Sequence, residues 1–217
     1  MICVPILEDN VDAAVLSAES ALKIADIVEF RADYFRDLRE EDISMFANYP
    51  SILTIRAHWE GGQYGGSPDK RMELYRTAIE NNVRYVDVEL SEKRNRDLLR
   101  YRDEIGSKTN VIISYHNFEE TPPYNELVDI VSAELQIGDL GKFATMVNSG
   151  EDVLNILRTT SEFEGNVIGI GMGEKGKLTR ILATYFGSVL TFASMGGKPS
   201  APGQIDVMAL KRCMPPL

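Results

Sequence analysis

Eight short apolar, β-branched runs recur along this chain at near-regular spacing, and that period limits the possible folds more than any other feature. The runs cover residues 2–7, 27–33, 52–57, 85–90, 110–118, 140–147, 166–172 and 189–194. Between them, residues 12–24, 67–81, 92–105, 123–136, 151–161, 177–186 and 203–212 space their apolar positions as helices do. The segment 67–81 opens Ser-Pro-Asp, a cap with proline in the first turn. Strands alternating with helices predict a parallel α/β fold. With 217 residues, the chain lies near the lower end for a (β/α)8 barrel, roughly 200 to 250 residues. The expected fold is therefore a compact (β/α)8 TIM barrel, with 1–217 as a single domain. A doubly wound sheet is the runner-up. No linker or low-complexity stretch divides the chain.

Side-chain parity within the runs adds a second constraint. In Glu29-Phe30-Arg31-Ala32-Asp33 the charges occupy every second position and so share one strand face. Thr54 and Arg56 do the same, as do Asp87 and Glu89, and Ile112, Ser114 and His116. A parallel strand buried on both faces is normally apolar throughout. A face that turns polar toward the C-terminal end of strand after strand predicts a site on the barrel axis at its top.

The net charge of −10 argues against a nucleic-acid or anionic-membrane partner, while a local arginine cluster can still hold an anionic small molecule. The two cysteines, Cys3 and Cys213, are read as reduced thiols. The N-terminus has no basic start or apolar core of a signal peptide. No apolar run approaches the ~20 residues of a membrane helix. These features predict a cytoplasmic location. No Cys/His cluster has metal-ligand spacing, and no cofactor is expected.

Lys142 is the candidate nucleophile, because it interrupts an apolar strand, Leu140-Gly141-Lys142-Phe143-Ala144-Thr145-Met146-Val147. Desolvation and a neighbouring cation lower a lysine pKa, and one arginine ~5 Å away is worth ~3 kcal/mol. The plainer reading is a lysine paired with a carboxylate such as Glu29 or Glu89, and the sequence leaves both open. His116, at the end of the preceding strand, suits general acid–base work. His58 ends a strand in exposed-looking surroundings and is read as a loop residue. Arg31, Arg56 and Arg180 suit a carboxylate or phosphate. Arg31 also neutralises Glu29 and Asp33. Gly171-Met172-Gly173-Glu174-Lys175-Gly176 matches G-x-G-x-x-G but lies late in the chain, with no acid ending the next strand. A nicotinamide site is therefore rejected, and a barrel phosphate site competes better. Residues 194–204 are read as a lid over the site.

Taken together, Glu29-Phe30-Arg31-Ala32-Asp33, Thr54-Ile55-Arg56, Glu60-Gly61-Gly62, Ser114-Tyr115-His116-Asn117-Phe118, Lys142-Phe143-Ala144, Met172-Gly173 through Thr179-Arg180, and Ser200-Ala201-Pro202-Gly203-Gln204 resemble the type I 3-dehydroquinate dehydratases, nearly end to end. The resemblance implies a (β/α)8 barrel that dehydrates 3-dehydroquinate to 3-dehydroshikimate without a cofactor, in the shikimate pathway. It implies that Lys142 forms a Schiff base with the substrate ketone. His116 then moves the proton, and Glu60 orients His116 and raises its pKa. Arg180 holds the substrate carboxylate. Glu29, Arg31, Arg56, Ser200 and Gln204 contact substrate hydroxyls and the site wall. A homodimer is implied by family analogy alone. Two departures stand out. The hairpin that closes the barrel floor in longer family members has no evident counterpart, which leaves open how the bottom is sealed. Thr179 stands where serine is common. The alternatives are a Schiff-base aldolase acting on a sugar phosphate and a barrel that only binds a metabolite.

Overall fold

The computed structural model describes residues 1–215. Eight parallel strands run β1 Ile2–Ile6, β2 Ile27–Arg31, β3 Ser51–Thr54, β4 Tyr85–Glu89, β5 Asn110–Asn117, β6 Leu140–Met146, β7 Val167–Met172 and β8 Thr191–Phe192. The helices are α1 Val11–Ala21, α2 Glu40–Phe46, α3 Pro68–Glu80, α4 Asn95–Ile105, α5 Tyr124–Leu135, α6 Gly150–Glu162, α7 Lys177–Leu182 and α8 Val207–Cys213. The ladder runs β7-β6-β5-β4-β3-β2-β1-β8, as a barrel requires. Its seam between β7 and β8 is thin. Val189 N–H donates to Val167 O at 2.9 Å, and the Ser188 hydroxyl accepts from Gly169 N–H at 3.4 Å. The chain is a nearly closed (β/α)8 barrel.

Strand parity sorts side chains into two cores. Outward positions such as Val28, Phe30, Leu53, Ile55, Val86 and Val111 pack against α1, α3 and α4 through Ala14, Ala18, Leu74, Ala78 and Leu98. Phe143 and Val167 meet Leu127, Val131 and Ile156 on α5 and α6. Inward positions form layers. The lower layer is apolar: Cys3, Ile27, Ile52, Tyr85, Ile112, Ile168 and Leu190, with Met1 and Leu140 packed on it. These side chains fill the bottom of the barrel themselves. The layers above are polar, as the alternation predicts: Glu29, Thr54, Asp87, Ser114 and Lys142, then Arg31, Arg56, Glu89 and His116. All but His116 are buried.

Helix α7 stops at Leu182 and α8 begins at Val207, both shorter than the expected 177–186 and 203–212, and two further elements differ more. Helix α2 was not expected. It has seven residues, and what starts it is the Asp42 carboxylate accepting the Arg39 N–H at 2.9 Å rather than an apolar repeat. Strand β8 pairs over two residues only; Ala193 N–H still donates to Cys3 O at 2.9 Å, and Ser194 bridges to Asp206 where the following loop returns. The helix N-termini follow ordinary rules, with Ser67 capping α3 ahead of Pro68 and Ser149 capping α6.

Cys3 and Cys213 are both free; Cys3 is fully buried and Cys213 exposed. Burial pushes the Cys3 thiol well up, and Glu29 adds to this. Native protein is therefore expected to show one fast thiol toward an aromatic disulfide reagent, and a second only after denaturation. A fast second thiol in the native state would mean that the barrel floor is not sealed.

Candidate active site

Lys142 lies on β6 with its Nζ in the middle of the polar layer. It donates to Asp87 Oδ2 at 2.6 Å, and Glu29 Oε1 is 3.7 Å away. The Phe192 ring sits 4.7 Å beneath the same nitrogen. The carboxylate reading of this lysine is thus correct for Glu29, but its closest partner is Asp87 and not Glu89. Glu89 is taken by Arg56 Nη1 at 3.0 Å, by the Ala57 N–H at 2.9 Å and by Arg71, which reaches in from α3. Asp87 is the hub of the layer. Its Oδ1 accepts from Arg56 Nη2 at 2.6 Å and from the Ser114 hydroxyl at 2.7 Å, leaving Oδ2 for Lys142. Burial works against ionised Asp87, but Arg56 and Lys142 outweigh it and hold its pKa well below the usual carboxylate range.

His116 stands two residues above Ser114, the register partner of Lys142, and so on the same inward face. Its Nδ1 is 2.9 Å from Glu60 Oε2. Glu60 comes from the 3₁₀ turn His58–Glu60 after β3, where His58 itself is exposed. That turn folds back tightly. Gly61 has φ +78°, and a Cβ on Gly62 would lie 1.9 Å from the Arg56 carbonyl oxygen. Asp33 braces the same loop, because its carboxylate grips Arg31 through two bonds of 2.8 Å and accepts the Gln63 N–H at 3.0 Å. Arg31 therefore pairs with Asp33. Glu29 is instead held by the Thr54 hydroxyl at 2.7 Å.

The titration of the pair departs from expectation. Burial pushes His116 well below its ordinary value, and Arg56 and Lys142 add to this. The expected rise of His116 is therefore not seen, and burial also pushes Glu60 up to about 7, against the pull of Arg56 and Ser91. Desolvation disfavours charge on both partners.

Arg180 on α7 differs from the other buried arginines. Among the described residues it meets only carbonyl oxygens, Phe192 O at 3.5 Å and Pro202 O at 3.3 Å, and its Nε has no partner. Burial alone lowers its pKa to about 10. A guanidinium fork of this kind matches the geometry of a carboxylate or phosphate. Thr179, beside it, accepts from Gly171 N–H at 2.8 Å and donates to Gly176 O at 2.7 Å, so threonine keeps the hydroxyl that the position needs. Above lies the loop after β8. Ser200 and Gln204 bond each other twice at 2.8 Å, and Gly173 N–H donates to Pro202 O at 3.1 Å.

One cavity of about 580 Å³ is lined by Glu29, Arg31, Arg56, Glu60, His116, Lys142, Arg180, Ser200 and Gln204, every site residue expected from the sequence, together with Phe118, Ala144, Ile170, Met172 and Phe192. The model of the family Type I 3-dehydroquinase matches residues 2–214. The chain belongs to the type I 3-dehydroquinase family. A 3-dehydroquinate dehydratase of Methanocaldococcus jannaschii is 59% identical over 97% of this chain and 96% of its own length. The crystal structure of the Geobacillus kaustophilus 3-dehydroquinate dehydratase superposes with a TM-score of 0.88 at 30% identity, covering 98% of this chain and 89% of that one. A Clostridium difficile type I 3-dehydroquinate dehydratase, crystallised with covalent modified comenic acid, superposes with a TM-score of 0.86 at 29% identity, covering the same shares of each chain. The chain is an enzyme of this dehydroquinase family, a lyase acting on a small molecule. No helix among the described residues is long and apolar enough to cross a membrane.

Asp87, Glu89, Ser91, Asp33 and Arg71 carry much of the site's geometry without having been assigned to it from sequence. Asp87 and Glu89 gave a signal, since their parity places them on the inner face. Arg71 and Ser91 gave none, being one residue of a charged helix and one of a turn.

The raised pKa of Glu60 has a measurable sign. An unfolded carboxyl loses its proton near 4.5, whereas the folded one keeps it until about 7. Stability therefore falls as pH rises through that window, by on the order of 3 kcal/mol in total. Glu60→Gln mimics the neutral acid. It should raise the melting temperature above about pH 7, with the gain fading toward about pH 5. An equal effect at both ends, read by calorimetry, would contradict the assignment.

Proposed function

We propose that this enzyme dehydrates 3-dehydroquinate to 3-dehydroshikimate through a Schiff base on Lys142, with His116 moving the proton. The observation that carries this reading is the amine of Lys142 facing the cavity beside a carboxylate held ionised, with His116 on the adjoining strand.

The sequence of events follows from the groups present. The Lys142 amine adds to the substrate ketone, and loss of water gives an iminium. The positive charge that Nζ carried as an ammonium is restored in the iminium, so Asp87 serves as counter-ion before and after. The iminium draws electrons from the adjacent carbon, whose proton His116 removes to leave an enamine. The enamine expels the β-hydroxyl, to which His116 returns its proton, and hydrolysis of the new iminium frees product and lysine. Overall one water is lost. The low pKa of His116 suits both halves, because the imidazole is neutral when a base is needed and the imidazolium gives up its proton readily afterwards. Arg180 would take the substrate carboxylate, since its guanidinium meets carbonyl oxygens rather than a carboxylate among the described residues. Arg31, Arg56, Glu29, Ser200 and Gln204 would shape the wall around the hydroxyls.

A sugar-phosphate reading gains no support from the glycine-rich turn. The N–H groups of Gly171, Gly173 and Gly176 are spent on Thr179, Pro202 and Gly173. These three glycines therefore leave no donor for a phosphate. A role limited to binding leaves the Lys142 and His116 pair without a purpose.

Borohydride added during turnover of 3-dehydroquinate should leave a reduced adduct on the peptide containing Lys142, read by mass spectrometry. Untreated samples should gain enone absorbance. Lys142→Ala should lose turnover and labelling while still binding substrate; more than a few per cent of residual activity would remove Lys142 from the reaction. His116→Ala should still form the adduct and accumulate it, with kcat lower by ~10²–10⁴. Failure to label Lys142 in that variant would show that His116 is also needed to form the Schiff base.

A further inference from the structure

Behind Glu60 a hydrogen-bonded chain continues outward. Trp59 Nε1 donates to Ser91 Oγ at 3.0 Å, and Ser91 Oγ donates to Glu60 Oε1 at 2.7 Å. Glu60 Oε2 then faces His116 Nδ1 at 2.9 Å. The directions are forced. An indole N–H only donates, so the Ser91 hydroxyl accepts there and spends its single proton on Glu60. Oε1 is thereby an acceptor, and any proton on Glu60 lies on Oε2, on the axis to His116.

That axis has two neutral-histidine states. With Glu60 ionised, Nδ1 carries the proton and Nε2 keeps a lone pair. With Glu60 protonated, it donates to Nδ1, Nε2 bears the hydrogen, and the ring is no longer a base. A donated hydrogen bond is stronger to a carboxylate than to its acid. We propose that Ser91 is a positioning residue that holds the Glu60–His116 pair in the state where His116 can accept a proton. This rests on the reading of His116 as the proton carrier. The other charges bearing on the pair are Arg56 just beyond β3, Asp87 and Glu89 from β4, Arg31 from β2 and Lys142 from β6. Arg71 from α3 lies 5.9 Å from the Trp59 ring.

The test compares Ser91→Ala with Ser91→Thr, which keeps the hydroxyl. Ser91→Ala should move the acid limb of the kcat–pH profile up by about one unit, about a tenfold loss on the acid side, with KM and borohydride trapping unchanged. Ser91→Thr should restore the parental profile. An Ala profile that overlays the parent, or a Thr variant equal to Ala, overturns the proposal. Trp59 is the chain's single tryptophan, so its fluorescence without substrate reports on the same link. It should titrate near about 7 in the parent and in Ser91→Thr, and lose that transition in Ser91→Ala and in Glu60→Gln. A transition retained in Ser91→Ala overturns the link even where Lys142 trapping succeeds. Absence of trapping in the parent would instead overturn the Schiff-base reading and leave the fluorescence test standing.

Discussion

Buried charge must be paired, and the upper half of this barrel is built around that demand. Asp87 accepts from Arg56, Ser114 and Lys142 at once, and Arg56 in turn ties Asp87 to Glu89. Arg71 closes the lattice from outside the strands. Breaking one such buried pair leaves an orphaned charge and costs about 3–5 kcal/mol. The positions of these groups are therefore set by their neighbours rather than by their own rotamer preferences. Helices, turns and glycines serve the same end, since each places one more partner where the lattice has an open valence.

Desolvation then separates the roles. Glu60 and His116 occupy similar surroundings, yet the same loss of water raises the carboxyl and lowers the imidazole. Asp87 is no less buried but is outvoted by two cations. Arg180 meets no opposing charge among the described residues and is pulled down by burial. One medium thus yields an ionised carboxylate, an imidazole pushed toward its neutral form and a guanidinium with a lowered pKa in and beside a single cavity, and partner number decides which group becomes which.

Much of this was legible in the residues because strand parity is a strict period. Glu29, Arg31, Arg56, His116 and Lys142 all line the cavity, as alternation from their neighbours implies. What parity cannot supply is distance across the axis. It put Asp87 and Glu89 on the correct face without telling which of them meets Lys142, since that depends on barrel stagger. Contacts from outside the strands, such as Arg71 and Ser91, leave no periodic trace. The direction of the His116 shift was misjudged for a related reason. A sequence shows an opposed carboxylate but not the loss of water that dominates it. Helix α2 escaped notice because a seven-residue helix started by one carboxylate carries too few apolar positions to show a period.

The filled floor has a topological consequence. Cys3, Ile27, Ile52, Tyr85, Ile112, Ile168 and Leu190 fill the barrel below the cavity, and the loop that carries Ser200 and Gln204 lines it from the other side, so a way in through the floor is blocked. Substrate, product and the expelled water then share one doorway. A water molecule released at the inner end has no back exit, and it lies where microscopic reversibility allows it to add back. Net flux through a chamber closed at one end would depend on how fast the expelled water leaves relative to that return, so the filled floor bears on the reversibility of the reaction as well as on stability.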